Sequence, residues 1–231
     1  MQSGMDQQKE CTMSTPILSI CIPSIPNRMR MYLQPLYSKL LGQIGDAKDV
    51  EVLSLMDNKM MSIGRKKSLL LSMATGRYVC IIDDDDTVAD DYISTLREKI
   101  TDDLDVDVIC YNQQATIQGK TWLVKTSLTH NQVHPFDQLA VDQNGNTVPC
   151  KRPPWQWCLW KREIAQSVPF GDSNWAEDAA FTLDACKKAK TELVIDKVMC
   201  YYSWSPTVTE TQQPQNPVSI ENMQRVRIAN G

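Results

Sequence analysis

Long apolar runs are missing from this chain. No stretch approaches the roughly 20 apolar residues that cross a bilayer, and Met1–Thr15 is polar, without the apolar core of a signal peptide. No membrane span is expected. Paired cysteines are missing too: eight are present but none in CxxC spacing, and there are only two histidines. Cys21, Cys80, Cys110 and Cys200 sit inside apolar runs, where a thiol acts as a small hydrophobe. These absences imply a reduced, cytoplasmic protein without disulfides or structural zinc. An excess of positive charge is also lacking, with a formal net charge of -4 and a pI near 5.2. That excludes a grip on nucleic acid through the overall field, although a local basic groove stays open.

What is present is an alternation of strand-like and helix-like segments. Ile17–Ile22 is a short apolar run ended by Pro23 and reads as a buried strand. Leu33, Leu36, Tyr37 and Leu40 repeat at helical spacing, with Pro35 near the helix start. Val50–Leu55 is a second strand. Ser62 caps a helix running to about Ala74, and Gly76 stops it. Tyr78–Ile82 is apolar nearly throughout, as a parallel strand covered on both faces tends to be. Thr87 and Asp90 have capping-box spacing before Ile93, Leu96 and Ile100. Val106–Tyr111 is a fourth strand. This order implies an α/β fold with a parallel sheet and right-handed crossovers. The second half has turns, short strands and one helix over about Trp175–Lys190, followed by strands at Glu192–Asp196 and Val198–Tyr202. The expected organisation is a tail over 1–15, one domain over 16–205 and an extended tail over 206–231.

The first chemical signal is Asp83-Asp84-Asp85-Asp86, directly after the third strand. In an open α/β sheet ligands bind beyond the carboxyl ends of the strands. Two like charges about 4 Å apart repel by on the order of 4 kcal/mol at an effective dielectric near 20. A divalent cation relieves that repulsion, and oxygen ligands select Mg2+ or Mn2+. The alternative is a solvated acidic turn ahead of a helix; it accounts for Asp90 and Asp91 better than for Asp83 and Asp85.

A set of motifs in order then becomes specific. Ser62-Ile63-Gly64-Arg65-Lys66-Lys67, Met73-Ala74-Thr75-Gly76-Arg77-Tyr78, an apolar strand and four aspartates resemble the core of the family two glycosyltransferases. Leu18–Pro23 followed by Asn27-Arg28 resembles that family's first strand and nucleotide loop, and Glu177-Asp178 its later E-D motif. The resemblance covers about Ile17 to Tyr202. It implies a GT-A-type, Rossmann-like, mostly parallel sheet flanked by helices, with a nucleotide-binding half over 16–111 and an acceptor-binding half over 112–205. It further implies transfer of a sugar from a nucleotide-sugar donor to a hydroxyl acceptor, helped by a divalent metal. Asp83 and Asp85 would be the outer residues of a DxD motif, with Asp85 or Asp86 touching the metal. Pro23, Ser24, Asn27, Arg28, Asp83 and Asp84 would line the donor, and Asp57 would meet its base. A carboxylate there accepts the N3–H of uracil, which favours a UDP-sugar. Two departures stand out. Lys67-Ser68 replaces the family's frequent Arg-Asn, and no histidine lies in Ser203–Thr209, where some relatives place a metal ligand.

Three further features invite roles. Arg65, Lys66 and Lys67 crowd the first turn of a helix, where cations oppose the dipole unless an anion joins them; a diphosphate, held chiefly by Lys67, would do so. Lys151–Arg162 holds three of the six tryptophans. Alternation puts Trp155 and Trp157 on one face, suited to stacking on a sugar, with Arg152 available to an acidic acceptor and Trp160 packing in the core. Inversion needs a base for the acceptor hydroxyl. Asn174 stands at capping-box distance from Glu177, which leaves Asp178 as the base and Glu177 second. His130 and His134 are read as loop residues and not as metal ligands.

The acceptor stays open between a glycan, a protein and a modified nucleic-acid base. Two rivals are weighed. A sugar-phosphate nucleotidyltransferase needs a glycine-rich loop where this chain has Pro23-Ser24-Ile25-Pro26-Asn27-Arg28. A cation-stabilised glycan-binding module would make Asp178 dispensable.

Overall fold

The structure is a computed structural model that describes residues 15–130 and 141–204. The tails expected at the two ends, apart from Thr15, and His134 lie outside the described residues. The elements, in chain order, are β1 (Leu18–Ser24), α1 (Gln34–Ile44), β2 (Val50–Met56), α2 (Ile63–Met73), β3 (Tyr78–Ile81), β4 (Thr87–Val88), α3 (Tyr92–Lys99), β5 (Val108–Ile117), β6 (Lys120–Thr126), β7 (Cys150–Arg152), β8 (Leu159–Lys161), α4 (Arg162–Gln166), α5 (Glu177–Lys188) and β9 (Glu192–Trp204).

One sheet runs β2-β1-β3-β8-β5-β6-β7, with β9 pairing β5 and β4. Strands β2, β1 and β3 are parallel, as their apolar runs imply. All seven residues of β1 are buried, so helices cover both of its faces. Register pairs Ser24 with Met56 and Cys21 with Ile81. The carboxyl ends of these strands therefore meet at one edge, and Ser24, Asp57 and Asp83 share it.

The expected fourth parallel neighbour of β3 is displaced. Three residues of the second half, Leu159–Lys161, enter antiparallel between β3 and β5. The division at Asn112 is thus one of chain order and not of separate bodies. The expected capping box at Thr87 also gives way. Thr87 and Val88 pair with Tyr201 and Cys200 of β9, while Asp90 and Asp91 turn to Lys39 and Lys197. The competing strand takes the backbone that a helix start would have used. The two late strands expected after Thr191 are one strand, β9, with a register shift opposite Tyr111–Gln113. The polar pair Asp196-Lys197 marks an irregularity there, and Asp196 accepts from Asn112 and Lys125.

The Ala74-Thr75-Gly76-Arg77-Tyr78 turn has a clear physical basis. A Cβ on Gly76 would lie 2.6 Å from the Leu18 carbonyl carbon and the Ser19 nitrogen, so only glycine lets the turn sit against β1. Glu51 of β2 fastens it, accepting from Ser19 Oγ (2.5 Å), Thr75 N (2.6 Å) and Gly76 N (3.2 Å). Tyr78 is then buried, its hydroxyl donating to the Val106 carbonyl at 3.2 Å.

Candidate active site

The four aspartates leave β3 in a turn and alternate in exposure: Asp84 and Asp86 are buried, Asp83 and Asp85 half-buried. Each meets a different neighbour. Asp84 accepts from Ser24 Oγ (2.7 Å) and from Arg28 Nε (2.9 Å). Arg28 also reaches Asp85 at 2.8 Å and lies over the Tyr32 ring. Asp83 accepts from Gln156 Nε2 at 2.8 Å and pairs with Lys67 at 3.2 Å. Asp86 Oδ1 is buried without a hydrogen-bond partner among the described residues.

Two sequence expectations are adjusted here. Asp84, expected to face a donor, turns inward as a latch on Arg28. Arg28 itself is buried against two carboxylates. Pro23 is buried at the end of β1, while Asn27 is exposed in the short helical turn that follows.

The charge balance decides what the site can hold. Burial and the neighbouring Asp83 push the Asp85 carboxyl above the usual carboxylate range, with Arg28 pulling the other way. Burial, reinforced by Asp83 and Asp85, pushes Asp86 well above it. Negative charge is thus in excess even after Arg28 and Lys67 are counted. Among the described residues no three metal-type side chains already converge. Magnesium-like ions need only one or two carboxylates, with water and phosphate completing the shell. The half-buried pair Asp83 and Asp85, in the same turn as the unpartnered Asp86 oxygen, fits that demand.

The lysines of α2 are a correction. A diphosphate was expected at this helix start, yet protein already fills it. Ile63 N donates to Asn174 Oδ1 (2.9 Å), Gly64 N to the Ser173 carbonyl (3.0 Å) and Arg65 N to Ser62 Oγ (3.2 Å). A Cβ on Gly64 would collide with the Gly171 carbonyl, which is why glycine stands there. Lys66 and Lys67 are both 2% exposed. Lys66 Nζ donates to the Ser24 carbonyl at 2.7 Å and pairs with Asp57. Asp57 also accepts from Met61 N at 2.9 Å. Burial works against the Asp57 charge, but Lys66 and the backbone amides hold its carboxyl below the usual range.

Lys67 is a buried strut. Its Nζ donates to Glu177 Oε1 (2.8 Å) and Gln156 Oε1 (2.9 Å) besides pairing with Asp83. Burial opposes its charge, yet Asp83, Glu177 and Asp178 hold the ammonium above the ordinary lysine range. The capping box expected between Asn174 and Glu177 does not form. Asn174 serves α2, Ala176 takes a left-handed turn (φ 58°) before α5, and Glu177 is spent on Lys67.

Asp178 opens the first turn of α5. Its Oδ2 accepts from Trp155 Nε1 at 3.1 Å and its Oδ1 from Ala179 N at 2.7 Å. The sugar-stacking wall is the second correction. Trp157 is 3% exposed and packs on Tyr111 in the core, while Trp155 is 7% exposed with the Arg152 guanidinium 3.6 Å over its ring. Arg152 is equally buried, at 5%, and so is withdrawn from an acceptor. Trp160 packs edge-on against Phe181, as expected. His130 sits in the turn after β6. Sequence reasoning passed over Gln156, which bridges Asp83 and Lys67. Its signal was a lone amide in the apolar run Trp155–Trp160.

The fold and its carboxylate-lined strand edge define a GT-A-type α/β architecture. The model of glycosyl transferase family 2 matches residues 43–154 of the chain. Structures of S. aureus TarS share the fold. TarS 1-349 in complex with UDP-GlcNAc matches with a TM-score of 0.55 and 16% identity over 90% of this chain and 64% of that one. The complex with UDP matches at 0.51 and 17%, over 82% and 61%, and a further TarS structure at 0.53 and 16%, over 82% and 37%. The chain therefore spans less than two thirds of the length of these relatives. No curated protein matches it. Among the described residues no helix is long and apolar enough to cross a membrane.

Proposed function

We propose that this chain transfers a sugar from a nucleotide-diphosphate donor, a UDP-sugar first, to a hydroxyl acceptor with inversion at the anomeric carbon. The observation that supports it most is the sharing of Lys67: one ammonium lies within bonding reach of Asp83 and of Glu177, the neighbour of Asp178. Donor-side and acceptor-side carboxylates so line one mouth. The family match and the similar fold of a chain holding UDP-GlcNAc support the same reading.

In this mechanism Asp57, kept ionised by Lys66, accepts the N3–H of uracil; a carboxylate has lone pairs to spare beyond its two present partners. Ser24 and Arg28 hold Asp84, which fixes the turn that presents Asp83 and Asp85. These two would hold Mn2+ or Mg2+, which when bound neutralises charge on the departing diphosphate. Asp178 takes the proton of the acceptor hydroxyl as its oxygen attacks. The acceptor is a glycan, a protein or a modified nucleic-acid base, and a cytoplasmic setting belongs to the same proposal.

A panel of nucleotide sugars tests it by thermal shift and hydrolysis, with manganese present and absent. UDP-sugars should raise the melting temperature only with manganese, and calorimetry should find UDP tighter than CDP. Equal affinity for the two would remove Asp57 from base recognition. No response to any nucleotide sugar would sink the proposal.

A further inference from the structure

The base assigned to Asp178 has one side-chain contact that no sequence motif announced. Trp155 Nε1 donates to its Oδ2 at 3.1 Å. The indole is itself held from several sides. Its main-chain carbonyl accepts from Trp160 Nε1 (3.0 Å) and from Cys158 N (2.9 Å), which fixes the backbone. The guanidinium carbon of Arg152 lies 3.6 Å from the ring centroid, and both residues are more than nine-tenths buried. A cation over an indole face is attracted by the ring quadrupole, most strongly when both groups are desolvated. It also draws electron density from the ring and makes the N–H a better donor.

A carboxylate that opens a helix can rotate about its own bonds. Here Ala179 N takes Oδ1 and the indole takes Oδ2, so the carboxylate plane is set from two directions. A general base works only when its free lone pair points at the acceptor proton, and misplacement by about 1 Å costs as much as a hundredfold. Stacking on a sugar is not open to this ring, because Arg152 covers one face and only 7% of the residue is exposed.

We infer that Trp155, backed by Arg152, is a positioning residue that orients the Asp178 carboxylate for proton transfer. The inference rests on the reading of Asp178 as base. Trp155→Phe keeps an aromatic ring beside Arg152 while removing the N–H together with the rest of the pyrrole ring.

The test measures UDP release from UDP-GlcNAc with manganese, water being the acceptor. Trp155→Phe should lower kcat about tenfold, a fraction of what general-base catalysis supplies, with donor KM unchanged; the melting temperature should fall modestly because a buried ring is made smaller. Asp178→Asn should lower kcat at least about a hundredfold. The double variant should be no slower than Asp178→Asn alone, because Trp155 acts only through Asp178. A full-rate Trp155→Phe beside a slow Asp178→Asn overturns this inference and leaves the base in place. A full-rate Asp178→Asn removes the base and the inference with it. A double variant slower than Asp178→Asn by a further tenfold marks Trp155 as merely structural and overturns the inference. One arm needs no turnover: in 15N-labelled protein the Trp155 indole signal, identified by its loss in Trp155→Phe, should move in Asp178→Asn. A signal indifferent to Asp178→Asn overturns the inference even where UDP-GlcNAc is not turned over.

Discussion

Asp85 is the residue whose removal separates binding from folding. It is half-buried, pushed above the usual carboxylate range, and crowded by Asp83. Asp85→Ala should abolish manganese-dependent binding of a UDP-sugar while leaving the metal-free melting temperature unchanged or slightly higher. Undiminished metal-dependent binding would take Asp85 out of the metal site. Glu51 behaves in the opposite way. Although burial works against it, hydrogen bonds from Ser19, Thr75 and Gly76 hold its carboxyl below the usual glutamate range. The unfolded chain then takes up the proton first as pH falls. The stabilisation is complete above the unfolded value, about pH 4.3, and is lost as pH drops through the folded value. Glu51→Gln should therefore be less stable than wild type by about 1–2 kcal/mol at pH 7 in urea melts. The gap should close below about pH 4; a constant gap would assign the effect to shape and not to charge.

At the scale of elements, Lys67 ties α2, the turn after β3 and α5 together through one ammonium. Removing one partner of a buried ion pair costs about 3–5 kcal/mol, whereas replacing both by apolar groups can be nearly neutral. Lys67→Met should thus destabilise by about that amount, and Lys67→Met with Glu177→Leu should recover much of it in the same urea melts. A double variant no better than the single would mean that Glu177 is not the partner that matters. How far such elements could be read in advance depended on the range of their contacts. The Ser62 cap, α2 and the parallel β1–β3 core follow from local spacing, and all three are present. The true neighbours of α2 were hidden, because Asn174 lies 111 residues from the Ile63 amide it accepts from. The Trp155/Trp157 alternation identified a shared face but not its direction; both rings are buried, Trp157 against Tyr111 and Trp155 under Arg152. For the candidate site, the acidic run and the E-D pair were visible as charge at element ends. Gln156 and the Trp155 indole matter only through partners far away in sequence.

For the whole molecule, the placement of β8 has a consequence in time. Strand β3 ends at Ile81, yet its antiparallel neighbour begins at Leu159. A fragment ending at Tyr111 should therefore lack cooperative thermal unfolding and bind hydrophobic dyes, as circular dichroism and dye fluorescence would record. A cooperative melt of that fragment would mean that β3 and β5 can pair without the wedge. During synthesis, at about 5–20 residues per second, the edge of β3 waits roughly 4–16 s for its partner to be made. An unpaired apolar strand is a template for pairing with other chains. The nascent protein thus passes through an interval in which its most buried strands sit beside an open edge, and its yield in a cell is set by whatever shields that edge until Leu159–Lys161 arrive.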